Sequence, residues 1–272
     1  MRRHLTKYLR IAAAAAIAAF HFIPIYILLM VSFKKGSDFS SRWCPPSYLY
    51  LDNYIEVLRD GDLIKAFGNT VLITVCAAFL VLFLGAICAY PIARIRSRLS
   101  SLITNIVLAV MMIPSLSVIV PLYTNMLGLG AVNTYWGIIL ILATYNLPMS
   151  VFLFSNFIRN IPDELDEAAA IDGCRDFRIF FSVIMPQLQP VIASVLILTG
   201  IKIWNDYKYA LYFLQDNDME TITLFISKFF SDFSVELNEA AAAAFLAILP
   251  VCLLFLFLQK YFITGLSEGS IK

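Results

Sequence analysis

A chain of 272 residues with 60% hydrophobic and 14% charged residues lacks the make-up of a soluble domain, which carries about 25% charge. With a mean hydropathy of +0.81, it reads as an integral membrane protein. Its net charge of +1 offers no electrostatic basis for binding nucleic acid. Cys44, Cys76, Cys88, Cys174 and Cys252 form no CxxC pair and read as small apolar fillers. His21 stands alone in an apolar run, so it reads as a packed or cavity-facing polar residue. A metal site needs several ligands, and the sequence offers no metal or catalytic set.

Residues 1–10 carry Arg2, Arg3, Lys7 and Arg10 and no acid. Ile11–Val31 is an apolar run of 21 residues, long enough to span a bilayer and longer than a signal-peptide core. It reads as an uncleaved first span that tolerates Pro24; a cleaved signal is the other reading of its alanines. Phe33–Lys65 is too polar to span, and Asp52–Leu58 has the pattern of a short amphipathic helix at the outer surface. Phe67–Ala93 is the second span, followed by the basic turn Arg94, Arg96 and Arg98. Leu102–Leu122 is the third, interrupted by Pro114 and Pro121. Tyr123–Thr134 reads as a short outer loop, partly re-entrant. Tyr135–Ile158 is the fourth span, broken by Pro148. Gln187–Ile203 is the fifth, running into Trp204-Asn205-Asp206-Tyr207-Lys208-Tyr209, whose polar and aromatic residues mark a membrane interface or a cavity mouth. Gln215–Asn238 reads as an acidic loop, and Glu239–Gln259 as the sixth span.

Charge orients this layout. Twelve of the 20 basic residues fall in segments that the alternation puts on one side, while those on the other side are mixed with more numerous acids. The positive-inside rule makes that side, with both termini, cytoplasmic. The expectation is an all-α polytopic bundle of about six spans forming one transmembrane domain over residues 1–272.

Residues 162–186 lie between spans four and five on the cytoplasmic side. Pro162 can occupy a first helical position, and Asp163, Glu164 and Asp166 suit the positive end of a helix dipole. Leu165, Ala168, Ala169 and Asp172 share a face that is small and mostly apolar. Gly173 fits a helix end. Phe177, Phe180, Phe181 and Ile184 then repeat as an amphipathic stripe, and Pro186 starts the next helix. A cytoplasmic hairpin with no partner has the same pattern.

The letters Glu167-Ala168-Ala169, Asp172-Gly173 and Ile184-Met185-Pro186 resemble the EAA loop of the permease subunits of bacterial ABC importers. Met185 stands where the family usually has Leu, a swap of similar volume. The likeness extends to Pro45-Pro46, Leu51-Asp52-Asn53-Tyr54, Asn69-Thr70, Trp204-Asn205-Asp206, and Gln259-Lys260-Tyr261-Phe262 with Gly265-Leu266. Together these are similar to the carbohydrate-uptake type, of the maltose-system G kind. Glu239-Ala240-Ala241 repeats three letters without Asp-Gly and reads as an outer helix start.

The resemblance implies a type I importer fold in a bacterial cell membrane, and a path for a sugar or oligosaccharide. It implies four partners: a second related permease, two ATPase subunits and an extracytoplasmic solute-binding protein. ATP and magnesium would belong to the ATPases, since this chain has no GxxxxGK[ST] loop and is itself no enzyme. Glu167 would make a polar contact with the ATPase, Ala168 and Ala169 would pack closely, and Asp172 and Gly173 would close the helix. Asn146, Trp204, Asn205 and Tyr207 have the chemistry of a sugar path, although an interfacial aromatic belt has the same composition. A polyol or glycerol phosphate is the nearest rival solute, and no Arg or Lys set is expected to face a cavity. An ion-coupled transporter fits poorly, because the first four spans hold no Asp, Glu, Lys or Arg.

Overall fold

The computed structural model describes residues 2–59, 61–230 and 236–270, with side chains for 7–59, 61–230 and 236–259. Part of the acidic loop (231–235) and the side chains of the C-terminal motif beyond Gln259 therefore lie outside the described residues. Every regular element among the described residues is helical. Four single helices are long and apolar enough to cross a membrane, and two bent pairs bring the total to six.

The contacts gather the chain into two compact units. The first holds the described residues of 1–64 and 225–249. Its α1 (Arg2–Ser32) runs unbroken through Pro24 and exposes Tyr8, Phe20 and Phe22, as a lipid-facing span would. His21 turns its ring back on its own helix, 2.8 Å from the Ile17 carbonyl, rather than into a core. The amphipathic helix is present as α2 (Asp52–Arg59). Its buried Asn53 donates to the carbonyls of Ser32 and Lys34, both at 2.8 Å, capping the end of α1. In the loop between, Ser40 and the Tyr48 hydroxyl hydrogen-bond the Asp38 carboxylate, Ser40 through its N–H, and hold its pKa down to about 2.

The second unit holds the site. The second span is α3 (Asp62–Arg94). The third is two helices, α4 (Arg98–Met111) and α5 (Ile119–Gly128), joined through a 3₁₀ turn at Ser115–Val118. The axis turns by 92° there. Pro114 has no N–H to continue a helix and forces Ile113 out of helical geometry. Pro121 sits in the first turn of α5, where its missing N–H breaks nothing. Tyr123–Gly128, expected as loop, belongs to α5. The fourth span, α6 (Tyr135–Ile158), is continuous through Pro148, a tolerance common in membrane helices packed against neighbours.

Helix α7 (Glu164–Ile171) begins two residues later than Pro162 suggested. Next come α8 (Asp176–Ile179), a π turn at Phe180–Ile184, and α9 (Met185–Gln187). The rod then bends by 76° into α10 (Gln189–Trp204), with Pro190 in the new first turn. The loop after Phe213 is more ordered than its acidity suggested, since α12 (Ile222–Lys228) follows α11 (Lys208–Phe213). Asn69-Thr70 on α3 explains why: Asn69 donates to the carbonyls of Asp218 and Glu220, both at 2.9 Å, and Thr70 accepts from Ile222 N–H. The Glu239-Ala240-Ala241 lookalike is an early part of α13 (Leu237–Ser270), with Ala240 and Ala241 buried in the first unit.

Of the cysteines, Cys44, Cys88 and Cys252 are exposed and Cys76 and Cys174 half-buried, so only the latter two act as fillers within this chain.

Candidate functional site

Helix α7 ends as its sequence dictates. Gly173 adopts a left-handed φ of +80°, which costs a Cβ-bearing residue about 1–2 kcal/mol. Its N–H bonds the Ala170 carbonyl and the Cys174 N–H bonds the Ala169 carbonyl, each at 3.0 Å. This pair of bonds satisfies carbonyls that the helix end would otherwise orphan.

The other end is fixed by a side chain 69 residues away in sequence from Asp163. Arg94 closes α3 and is nearly buried. One of its nitrogens donates to the carbonyls of Ile158 and Ile161 at 3.1 and 2.9 Å and to Asp163 Oδ1 at 2.7 Å. Its Nη2 lies 2.7 Å from Asp166 Oδ2, an ion pair off the hydrogen-bonding line. Tyr90 donates to the other Asp166 oxygen at 2.6 Å, and Arg96 reaches Asp163 at 3.1 Å. The acids expected to serve a helix dipole thus tie α7 to the end of α3.

Packing decides which face of α7 is offered outward. Ala169 is 8% exposed and joins one cluster with Phe154 and Ile158 of α6, Ile179, Phe180 and Ile184. Glu167, Ala168, Asp172 and Gly173 are exposed. So is Leu165, and Ile171 is 86% exposed. Of the two alanines expected to pack a partner, Ala169 is committed to this chain and Ala168 is open. Ile171 was missed; an isoleucine one turn beyond Glu167 and opposite Ala169 was the available signal. The phenylalanine stripe is narrower than its spacing implied: Phe180 and Ile184 are buried, Phe181 is half-buried, and Phe177 lies outside against Phe181, 4.6 Å between ring centres.

A cavity of about 530 Å³ opens where the α4–α5 break, α6 and the α10–α11 link converge. Asn146 lines it, with its amide held by the Leu142 carbonyl. Trp204 instead packs its ring edge on Phe67, 5.5 Å between centres, and is buried. Asn205 bonds its own helix at the Ile201 carbonyl, and Tyr207 is half-exposed. Neither of these two nor Trp204 lines the cavity.

The rest of the lining includes Asp206, Lys208 and Tyr209, from the stretch that reads as an interface or cavity mouth, together with Tyr145 and Lys202, which carry no such signal. Tyr145 and Tyr209 face each other at 4.9 Å. The Tyr209 hydroxyl is buried near those of Tyr145 and Ser115 without a completed hydrogen bond. Lys208 donates to Ser115 and lies 4.0 Å over the Tyr209 ring. Lys202 and Asp206 complete the lining, so basic groups do face a cavity, contrary to expectation. Asp206 caps α11, accepting from Tyr209 and Ala210 N–H at 3.0 and 3.1 Å. Burial pushes its pKa up, against those bonds and the nearby Lys208 charge. The arrangement offers aromatic faces, an amide, hydroxyls and ammonium groups in partial seclusion from water, which suits a polar solute.

Known proteins share this architecture. The chain is 42% identical over its full length to the melibiose/raffinose/stachyose import permease protein MelC of Bacillus subtilis, all of which is covered. It is 32% identical, over 99% of itself and 98% of the relative, to a probable starch degradation products transport system permease protein, AmyC, of Thermoanaerobacterium thermosulfurigenes. Its fold matches a crystal structure of a bacterial ABC transporter involved in import of the acidic polysaccharide alginate. That match has a TM-score of 0.83 at 22% identity, covering 95% of this chain and 97% of the other. A second alginate transporter structure, in complex with an alginate pentasaccharide-bound periplasmic protein, matches with a TM-score of 0.71 at 17% identity, covering 94% and 93%. Residues 81–268 fit the model of one family, so with these relatives the chain belongs to the binding-protein-dependent transport system inner membrane components, the permease subunits of ABC importers.

Proposed function

We propose that this chain forms half of the path for a sugar or oligosaccharide in an ATP-driven importer of a bacterial cell membrane, with both termini cytoplasmic. A second related permease completes the path, two ATPase subunits supply the energy, and an extracytoplasmic solute-binding protein delivers the solute. The observation that carries this reading is α7. Its outer face is open at Ala168, Ile171 and Asp172, and its inner face is locked to α3 and α6 through Arg94 and Ala169. A helix built this way passes a push from a docked ATPase to the spans as a body, a closure of the hinge-and-shear type. The names of the relatives support a saccharide.

The test is ATP hydrolysis by the assembled transporter in proteoliposomes, with and without the binding protein loaded with a raffinose-type oligosaccharide. Stimulation by the loaded protein is expected. In the variant Ile171→Asp, which changes a side chain that touches little of its own chain, stimulation and uptake should fall at least about tenfold, the loss of one buried apolar contact. Normal uptake in Ile171→Asp would remove the α7 docking assignment. Gly173→Asn should retain uptake and Gly173→Val should lose most of it, because asparagine tolerates the left-handed conformation and valine does not.

Lys202 and Lys208 at the cavity favour a second reading, a phosphate ester such as glycerol phosphate, since ammonium groups stabilise anions held out of water. Competition separates the two: uptake of labelled oligosaccharide inhibited by raffinose but not by glycerol phosphate supports the saccharide.

A further inference from the structure

The turn from α3 to α4 borders a second, open cavity of about 640 Å³, apart from the solute path and sharing only Asp163 with the network that holds α7. Its floor is apolar, with Ile92 and Ala93 buried and Ile95 exposed at its edge. Its rim carries Arg96, Arg98 and Arg159 beside serine hydroxyls. The one acid at the rim, Asp163, is already shared by Arg94 and Arg96 at 2.7 and 3.1 Å. Among the described residues the guanidinium groups of Arg98 and Arg159 have no ion pair or hydrogen bond. Two unmatched positive forks therefore line one pocket with an apolar floor.

The position of the pocket narrows what it takes. Only Ile95, Arg96 and Ser97 separate the apolar helices α3 and α4, so the rim lies where spans meet water. Below it, Leu99, Leu102 and Ile106 are exposed along one face of α4. Paired guanidinium groups recognise phosphate oxygens in a planar, two-point fashion. A free anion would use the forks and leave the apolar stripe bare, whereas an amphiphile uses both. We propose that this cavity binds the phosphate head group of an anionic phospholipid of the cytoplasmic leaflet, with its acyl chains along Leu99, Leu102 and Ile106. The positive-inside orientation places the pocket against that leaflet, whose anionic lipids draw basic clusters of this kind.

The proposal is tested on the full chain purified in neutral detergent, by thermal unfolding with added dioctanoyl phosphatidylglycerol, dioctanoyl phosphatidylcholine or inorganic phosphate. Phosphatidylglycerol should raise the midpoint at a concentration at least tenfold lower than phosphatidylcholine. The double variant Arg98→Gln/Arg159→Gln should abolish that preference while its midpoint without lipid is unchanged, since both side chains are exposed. Should it fold poorly, Arg98→Lys/Arg159→Lys keeps the charge and loses the fork, and a reduced preference is expected. Equal response to the two lipids, or an undiminished preference in the variants, overturns the site. Equal stabilisation by inorganic phosphate overturns the lipid assignment, leaving a simple anion pocket.

Discussion

Replacement of Arg94 by methionine is expected to be among the most damaging single changes in this chain. The guanidinium satisfies two backbone carbonyls and two carboxylates at once. Its removal leaves Asp166, whose side chain is 17% exposed, as an uncompensated charge held near α3. Breaking one partner of a buried pair costs about 3–5 kcal/mol, whereas the half-exposed Asp163 adds little. Arg94→Met should lower the thermal midpoint and free α7 from the spans, so that ATP hydrolysis continues without uptake. Adding Asp166→Asn should recover part of the stability, because it removes the stranded charge. Arg94→Lys should not rescue, since one ammonium cannot span four acceptors in this geometry. A wild-type midpoint together with wild-type uptake in Arg94→Met would show that the network does not hold the helix.

The second large effect is expected at Gly85. A Cβ there would lie 2.1 Å from Ser150 Oγ and 2.9 Å from its Cβ. Ser150 is fully buried and donates to the Val81 carbonyl at 3.0 Å, so it has nowhere to move. Membrane helices associate through such close approaches of small residues. Gly85→Val must wedge α3 from α6 and lose the serine bond. The cost should reach the upper end of the 1–3 kcal/mol range typical of overpacking, at roughly 3 kcal/mol. The measurements are yield and thermal midpoint in detergent, both reduced. Gly85→Ala, which adds only the Cβ, should lower the midpoint as well, and Ser150→Gly beside it should restore much of that loss, since the second change removes the hydroxymethyl group that is struck. No recovery in that pair would place the damage elsewhere.

Much of the site could be read from letters alone, and the failures have specific causes. Asp172-Gly173 was read as a helix end because the chirality of the backbone singles out glycine there, whatever surrounds it. Ala168 and Ala169 could not be told apart, since both belong to one broad face and only contact with Ile179 and Phe180 selects Ala169. Trp204 has chemistry that fits a sugar path and an interfacial belt alike, and the structure buries it against Phe67. Lys208 and Tyr209 lie in a stretch whose letters fit an interface or a cavity mouth alike, and Tyr145 and Lys202 carry no local signature of a cavity. They line one because α4 and α5 break at Pro114 and leave room that a straight span would fill.

The sequence by itself determined where the chain crosses the membrane, which loops are basic and where the exposed helix–turn–helix lies. Those properties are sums over neighbours in the chain: apolar length, net positive charge, and the conformations open to glycine and proline. Only the tertiary structure decided that Pro114 bends a span while Pro148 does not, and that Asp163 and Asp166 belong to Arg94. It also decided which side of α7 is left uncovered. These depend on distances between residues far apart in sequence, and a side chain's letter does not record what another helix brings against it.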